Sequence, residues 1–188
     1  MELHTPYQDP IMYVYFHTNV EENIMALLDN IKISNNTLEP PNVRIEASLC
    51  TPNGDPIIIF GLRFHVINKG ILSEQGIHTL ESFLVKILRK YIDDKKTKII
   101  ILSQMGNRVG FFLSVSGQPS IGHVAYSWLA ALKDIMELSK DTEIPILNEH
   151  LGEPKELHSI SEAQEIAYQI IQKGIIITNS KNKLTLSQ

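Results

Sequence analysis

The chain has 188 residues, of which 43% are hydrophobic and 20% are charged, and its formal net charge is −4 at pH 7. This composition is typical of one soluble globular domain, and without a run of lysine or arginine it argues against nucleic acid and membranes as partners. The sequence has no apolar stretch near the roughly 18 residues of a membrane-spanning helix, and its single cysteine, Cys50, excludes an internal disulfide bond.

Residues 1–28 are the least regular part of the sequence, and we interpret them as an extension that precedes a main domain at 29–188. The first ten residues carry acids and prolines where a signal peptide would have a basic start and an apolar stretch, so we expect a cytoplasmic protein. Within the extension, PIMYVYFHTNV has the composition of a short strand. EENIMALLDNI, which ends at Ile31, has its apolar residues at helical spacing.

The first clear strands flank a turn. Residues 43–49 alternate weakly between apolar and polar, and TPNGD at 51–55 is a strong turn signal. The following stretch, PIIIFGLRFHVI, predicts a long strand whose phenylalanine and leucine side chains share one face, whereas Arg63 and His65 share the other. An arginine and a histidine on one face of a sheet need water, a ligand or a partner chain.

The next segment predicts a helix that begins after Ser73 and runs to about Asp93. It carries GIHTLESFL, in which His78, Glu81 and Ser82 stand at positions i, i+3 and i+4. Because positions i and i+4 lie one turn apart on the same face, histidines at both would bind a metal ion. The glutamate between them would then transfer protons. Here the second position is a serine.

The remaining elements complete an α+β pattern. Residues 97–102 and 109–117 predict two buried strands, the second containing a core aromatic pair at 111–112, and GIIIT near the end predicts a short last strand. Helices are predicted from near Ser120, with Trp128 in the core, and from the capping box at 159–162 to Gly174. We therefore predict an α+β fold, an antiparallel sheet with helices packed on one face.

Several of these segments together resemble the LuxS family, the S-ribosylhomocysteine lyases of autoinducer-2 synthesis in quorum sensing. The segments, which run in order over about residues 29–178, are FGLRF, NKGILSEQGIHTLES, ILSQMGNRVGFFLSVSG, SWLAALKDIM, EIPILNEH and ELHSISEAQEIA. The resemblance implies a LuxS-like fold and a homodimer whose two active sites lie at the subunit interface. It also implies one divalent iron or zinc ion, bound by two histidines of H-T-L-E-H and a distant cysteine.

The chain departs from the family pattern at most of the chemical positions. The first metal-binding histidine matches His78, but the second matches Ser82 and the cysteine matches Gly152. The catalytic cysteine, which follows P-M-G in the family, matches Asn107 of QMGN, and the aspartate six residues before it matches Ile101.

Two substrate-contacting residues near the start of the domain match Asn30 and Asn35. By this comparison the family residues that survive are Arg63, His78 and Glu81.

These substitutions predict that the metal-dependent reaction has been lost. A serine hydroxyl is a poor ligand for zinc or iron and glycine offers none, while Asn107 cannot accept a proton at neutral pH. We predict a binding or regulatory module with no cofactor, in which His78 is a remnant metal ligand. Its partners would be a second copy, a genuine LuxS subunit, or a ribosyl or homocysteine-like ligand bound by Arg63 and Asn107.

Two alternatives stay open at this stage. One is an active LuxS-type lyase or isomerase on a ribosyl thioether, with Glu81 as the catalytic base or with iron or zinc held by rebuilt ligands. The histidines and the carboxylate available for rebuilding are His65, His150, Glu153 and His158. The other is structural, because Glu81 would be kept simply if it paired with Arg63 or His78.

Overall fold

Six strands and three helices make up the part of the chain that the computed structural model describes, which is residues 31–34, 39–65, 72–106, 108–145 and 157–178. The strands are β1 (Ile31–Ser34), β2 (Asn42–Cys50), β3 (Pro56–Arg63), β4 (Lys98–Gln104), β5 (Gly110–Ser116) and β6 (Ile175–Thr178). The helices are α1 (Glu74–Ile92), α2 (Ile121–Met136) and α3 (Ile160–Lys173).

The strands form one sheet in the order β1-β6-β2-β3-β5-β4. The four strands β2, β3, β5 and β4 are antiparallel, which confirms the predicted α+β fold and its hairpins. β6 runs parallel to both of its neighbours, so the sheet as a whole is mixed. This difference follows from the connection, because β6 comes after helix α3, and a helical crossover can return a strand in the parallel direction.

All three helices begin at serines whose side chains accept a hydrogen bond from the first turn. Ser73 accepts from the backbone N–H of Gly76, and Ser120 and Ser159 accept in the same way from residues three positions on. Gly174, with φ at 74°, ends α3 in the left-handed region that favours glycine. The predicted helix boundaries are thereby confirmed.

The helices cover one face of the sheet, and the hydrophobic core lies between the helices and the sheet. Trp128 of α2 and Phe60, Leu62 and Phe111 of the sheet are fully buried there. Phe112, which the sequence also placed in the core, is only half-buried, because it follows Phe111 on the strand and therefore points to the opposite face.

The opposite face of the sheet has exposed apolar side chains in the described part of the chain. The prediction of a buried strand at 97–102 is wrong in this respect, since Ile100 is 49% and Ile101 is 53% exposed. The reason is that β4 is an edge strand with an irregularity between Ile99 and Ile101. Ile45, at 39% exposure, also contacts solvent, but it pairs with Phe60 and therefore lies on the face that the helices cover.

The strand and helix predicted in the N-terminal extension lie outside the described residues, except that Ile31 begins strand β1. The proposed division at residue 28 stays a prediction. No helix within the described ranges is both long and apolar enough to cross a membrane.

Candidate functional site

Helix α1 and the end of strand β4 bring three polar side chains together. His78 and Glu81 lie on the helix, and Gln104 is the last residue of β4. The Gln104 side-chain N–H donates to Glu81 Oε2 at 2.7 Å, and the same nitrogen lies 3.3 Å from His78 Nδ1. The structure therefore joins the two surviving residues of the helix through a third residue that sequence reasoning missed.

The sequence signal for Gln104 is its position, since it stands where the family's P-M-G motif has a proline. A proline there would have no side-chain donor, whereas a glutamine has an amide with two N–H groups. Nothing local in the sequence indicates that this amide reaches across to the helix.

Two charged residues, Glu74 and Arg108, extend this group of polar side chains beyond His78, whose own side chain is 41% exposed. Glu74 Oε1 lies 3.8 Å from His78 Nε2, one helical turn before it, and 2.9 Å from Arg108 Nη2. Arg108 has φ at 56°, an unusual backbone conformation for a residue with a side chain. The polar groups thus run from Arg108 through Glu74 and His78 to Gln104.

Ser82, which replaces the second histidine of the motif, is only 1% exposed and is therefore part of the packed side of α1. Its neutral hydroxyl cannot supply the imidazole nitrogen that a zinc or iron site would use.

Two of the histidines considered as replacement ligands lie in the described part of the chain. His158 Nδ1 lies 3.3 Å from the hydroxyl of Thr79, which also accepts the backbone N–H of Ser159, so this histidine packs beside the cap of α3. The backbone N–H of His65 donates to the carbonyl of Val109. Over the described ranges, no three histidine, cysteine, aspartate or glutamate side chains are grouped so as to hold a metal ion.

Arg63 belongs to a separate charged cluster. Its Nη2 lies 3.3 Å from Glu46 Oε1, and Arg44 Nε lies 2.7 Å from the same oxygen. All three side chains are between 20% and 26% exposed. Glu46 is therefore a carboxylate in salt-bridge contact with Arg63, a contact that the sequence did not indicate.

The backbone places the two clusters at the same end of the sheet. Arg63 is the last residue of β3 and pairs with Gly110, the first residue of β5. Gln104 ends β4 and pairs with Phe111, and the backbone N–H of Met105 donates to the carbonyl of Gly110. Arg63 and Gln104 therefore flank the tight link between β4 and β5.

Other sequence-predicted positions lie outside the described residues. They are Asn30, Asn35, Asn107, His150, Gly152 and Glu153. Cys50 lies at the end of β2 and is exposed.

The donor set of the described residues does not fit the iron or zinc ion that the resemblance implies. Ser82 is a buried hydroxyl, and the Gln104 amide nitrogen lies between the remaining imidazole and the carboxylate. An amide N–H group is a hydrogen-bond donor with no lone pair to give to a metal.

The comparison with protein families agrees with the motifs and the fold. The sequence model described as S-ribosylhomocysteinase (LuxS) matches residues 28–181, which is most of the chain.

Proposed function

The chain belongs to the S-ribosylhomocysteinase (LuxS) family, and we propose that it uses the family scaffold as a binding or regulatory module without metal-dependent cleavage of S-ribosylhomocysteine. The observation that carries the proposal is the Gln104 amide nitrogen, 2.7 Å from Glu81 Oε2 and 3.3 Å from His78 Nδ1. A hydrogen-bond donor between these two atoms competes with any cation for one lone pair on each of them.

The family reaction requires chemical groups that are replaced in this sequence. Polarising a sugar carbonyl calls for a Lewis acid, and expelling homocysteine calls for groups that move protons. Ser82 and Gly152 stand where two of the three metal ligands would be, and Asn107 stands where the catalytic cysteine would be. Since one positioned acid–base group is worth about 10²- to 10⁴-fold in rate, these losses together abolish useful turnover.

The charge of the Arg63 cluster supports retained binding of an anionic or hydroxylated ligand. Two guanidinium groups, of Arg44 and Arg63, share the carboxylate of Glu46, which leaves one unit of positive charge on these three partly exposed side chains. A ribosyl or homocysteine-like ligand offers the hydroxyl and carboxylate oxygens that a guanidinium group binds. Asn107, which stands in the adjacent link between β4 and β5, is the second proposed contact.

The face of the sheet that none of the described helices covers supports a dimer. Ile101 is 53% exposed and pairs across the sheet with Ser114, and the half-buried Phe112 lies on the same face as Ser114. A second copy packed on this face would bury them and would bring its residues close to Arg63. A heterodimer with a genuine LuxS subunit would use the same face.

Purified protein incubated with S-ribosylhomocysteine tests the loss of cleavage and the retention of binding separately. We expect no release of free thiol above the rate without protein. Calorimetry should show binding that weakens by about tenfold or more in Arg63→Ala, the range for losing a hydrogen bond to a charged group. Arg89→Ala, which removes an exposed arginine that pairs with Asp93 at the far end of α1, is the matched control and should bind as the wild type does. Thiol release that disappears in Glu81→Gln would contradict the proposal.

A metal-free isomerase is the second candidate, favoured by the fixed position of Glu81. A carboxylate that accepts a hydrogen bond at 2.7 Å is fixed in orientation and could act as a base on a bound sugar. Exchange of a substrate carbon-bound proton for deuterium, followed by NMR and abolished in Glu81→Gln, would support this candidate. Absence of exchange in the wild-type protein would contradict it.

A further inference from the structure

One nitrogen atom, Nε2 of Gln104, contacts both a ring nitrogen and a carboxylate. It lies 2.7 Å from Glu81 Oε2 and 3.3 Å from His78 Nδ1. A primary amide nitrogen carries two hydrogens that diverge in one plane, so both contacts can be hydrogen bonds in which Gln104 is the donor. The first is a charge-assisted bond of normal length and the second is longer.

The orientation of this amide follows from the charge of its partner. If the amide were turned by 180°, its oxygen would lie where the nitrogen now lies, against the carboxylate oxygen of Glu81. Two acceptors at 2.7 Å repel each other, whereas a donor and a carboxylate attract. With the nitrogen in this position, Nδ1 of His78 must accept, and the proton of the neutral ring lies on Nε2, which is 3.8 Å from Glu74 Oε1.

A divalent cation held by these two side chains would compete with the amide for His78 Nδ1 and Glu81 Oε2. Zinc bonds to imidazole nitrogen and carboxylate oxygen at about 2.0–2.2 Å, with no hydrogen between the metal and the ligand atom. We propose that Gln104 is a positioning residue whose carboxamide bridges the remnant metal ligand His78 and the neighbouring Glu81, and so closes this pair of side chains to divalent metals. The inference deepens the proposed function and rests on it in one respect, the loss of the family metal.

The chemical identity of residue 104 should therefore decide whether metal binds. Gln104→Glu keeps the size of the side chain but replaces two donors with acceptors and adds a negative charge. The introduced carboxylate would join Glu81 and His78 in a set of two carboxylates and one imidazole, which is a reasonable donor set for zinc or cobalt.

The first experiment is a titration of the purified chain with Co²⁺, followed by its visible absorption and by calorimetry. We expect Gln104→Glu to bind Co²⁺ at least about tenfold more tightly than the wild type does, the range for adding or correcting one contact in a metal site. The gain should vanish when His78→Ala is added. Gln169→Glu is the matched control, because Gln169 also donates to a glutamate on a helix, at 2.8 Å from Glu165, and should bind as the wild type does.

The second experiment reads the hydrogen bonds directly and does not depend on metal. The ¹⁵N chemical shifts of the His78 ring, recorded at a pH where the ring is neutral, should show Nδ1 unprotonated and hydrogen-bonded in the wild type. In Gln104→Ala the shifts should move toward those of an unconstrained imidazole, and in Gln169→Ala they should not move. A wild-type ring protonated on Nδ1, or one unaffected by Gln104→Ala, would overturn the inference.

The two proposals can fail independently. Thiol release by a wild-type protein whose His78 ring shows the expected shifts would contradict the proposed function alone. Equal Co²⁺ affinity of the wild type and Gln104→Glu, in a protein that releases no thiol, would contradict the inference about Gln104 alone.

Discussion

At the residue scale, the absence of a side chain at position 61 decides where a carboxylate lies. A Cβ on Gly61 would clash with Glu46 Oε1, the atom that contacts Arg63 and Arg44. The space left by glycine is therefore what allows one glutamate to reach both arginines. Glu46 is a partner for Arg63 on its face of the sheet, as the sequence predicted that this arginine would need.

Gly61→Ala should displace Glu46 from Arg63. We expect a loss of about 1 kcal/mol of unfolding free energy, since the ion pairs are partly exposed and screened by solvent, together with a change in the NMR resonance of the Arg63 Nε–H group. Gly106→Ala, at a position where a Cβ would meet nothing within 4 Å, is the control. An Arg63 resonance that stays in place in Gly61→Ala would contradict this geometry.

The contribution of Tyr91 to the free energy of unfolding is lost at alkaline pH. Burial first, and then a hydrogen bond to Asp134, raise the pKa of Tyr91 to about 12 from a usual value of 10.0. Because the folded pKa lies above the unfolded one, the contribution is complete below pH 10 and is lost as the pH rises to about 12. Urea unfolding at pH 9 and pH 11 should show a smaller fall in stability for Tyr91→Phe than for the wild type. An equal fall in both proteins would rule this out.

Sequence reasoning found Arg63, His78 and Glu81 but neither Glu46 nor Gln104. The first three stand in motifs that can be read locally. The other two make their contacts only in the folded chain, since Glu46 reaches Arg63 on the paired strand over 17 positions and Gln104 of β4 reaches Glu81 of helix α1 over 23. A side-chain contact of that range leaves no periodic signal in one sequence.

At the element scale, the helices were predictable because their signals lie within a few residues of each end. The serine caps and the glycine after α3 all appear as expected. The capping box of α3 is used differently from the expectation, however. Ser159 accepts from the backbone of Glu162, but the Glu162 carboxylate accepts from the hydroxyl of Ser73, the cap of α1.

Ser73 therefore caps one helix and links it to another. Ser73→Ala should cost more than Ser120→Ala, which removes a cap alone and should cost about 1 kcal/mol. The excess should disappear in a Glu162→Ala background, with a coupling of about 0.5 kcal/mol or more between Ser73 and Glu162. Chemical denaturation of the four proteins of this cycle measures the coupling. Strict additivity of the two substitutions would contradict the link between α1 and α3.

For strand β4, the prediction of burial was wrong. Its apolar sequence predicted a buried strand, but whether a strand is central or at the edge depends on pairing order, which a single run of residues does not encode. The exposed Ile100 and Ile101 follow from that edge position.

At the scale of the whole molecule, the sheet face left open by the described helices predicts association. In sedimentation velocity we expect the wild-type protein to be a dimer and the Ile101→Lys variant to be shifted toward monomer. The introduced charge would be buried in the interface without a partner. Tyr168→Lys is the control, since Tyr168 is 48% exposed on helix α3 rather than on the sheet. A monomeric wild type, or an Ile101→Lys variant that stays dimeric, would contradict the proposed interface.

The metal content of the protein, purified without chelators from cells grown with zinc and iron, tests most directly whether the family chemistry has been lost. Inductively coupled plasma mass spectrometry should find far less than one metal ion per chain in the wild type, with no change in His78→Ala. Stoichiometric zinc or iron that disappears in His78→Ala would contradict the central claim, because His78 would then be a working ligand.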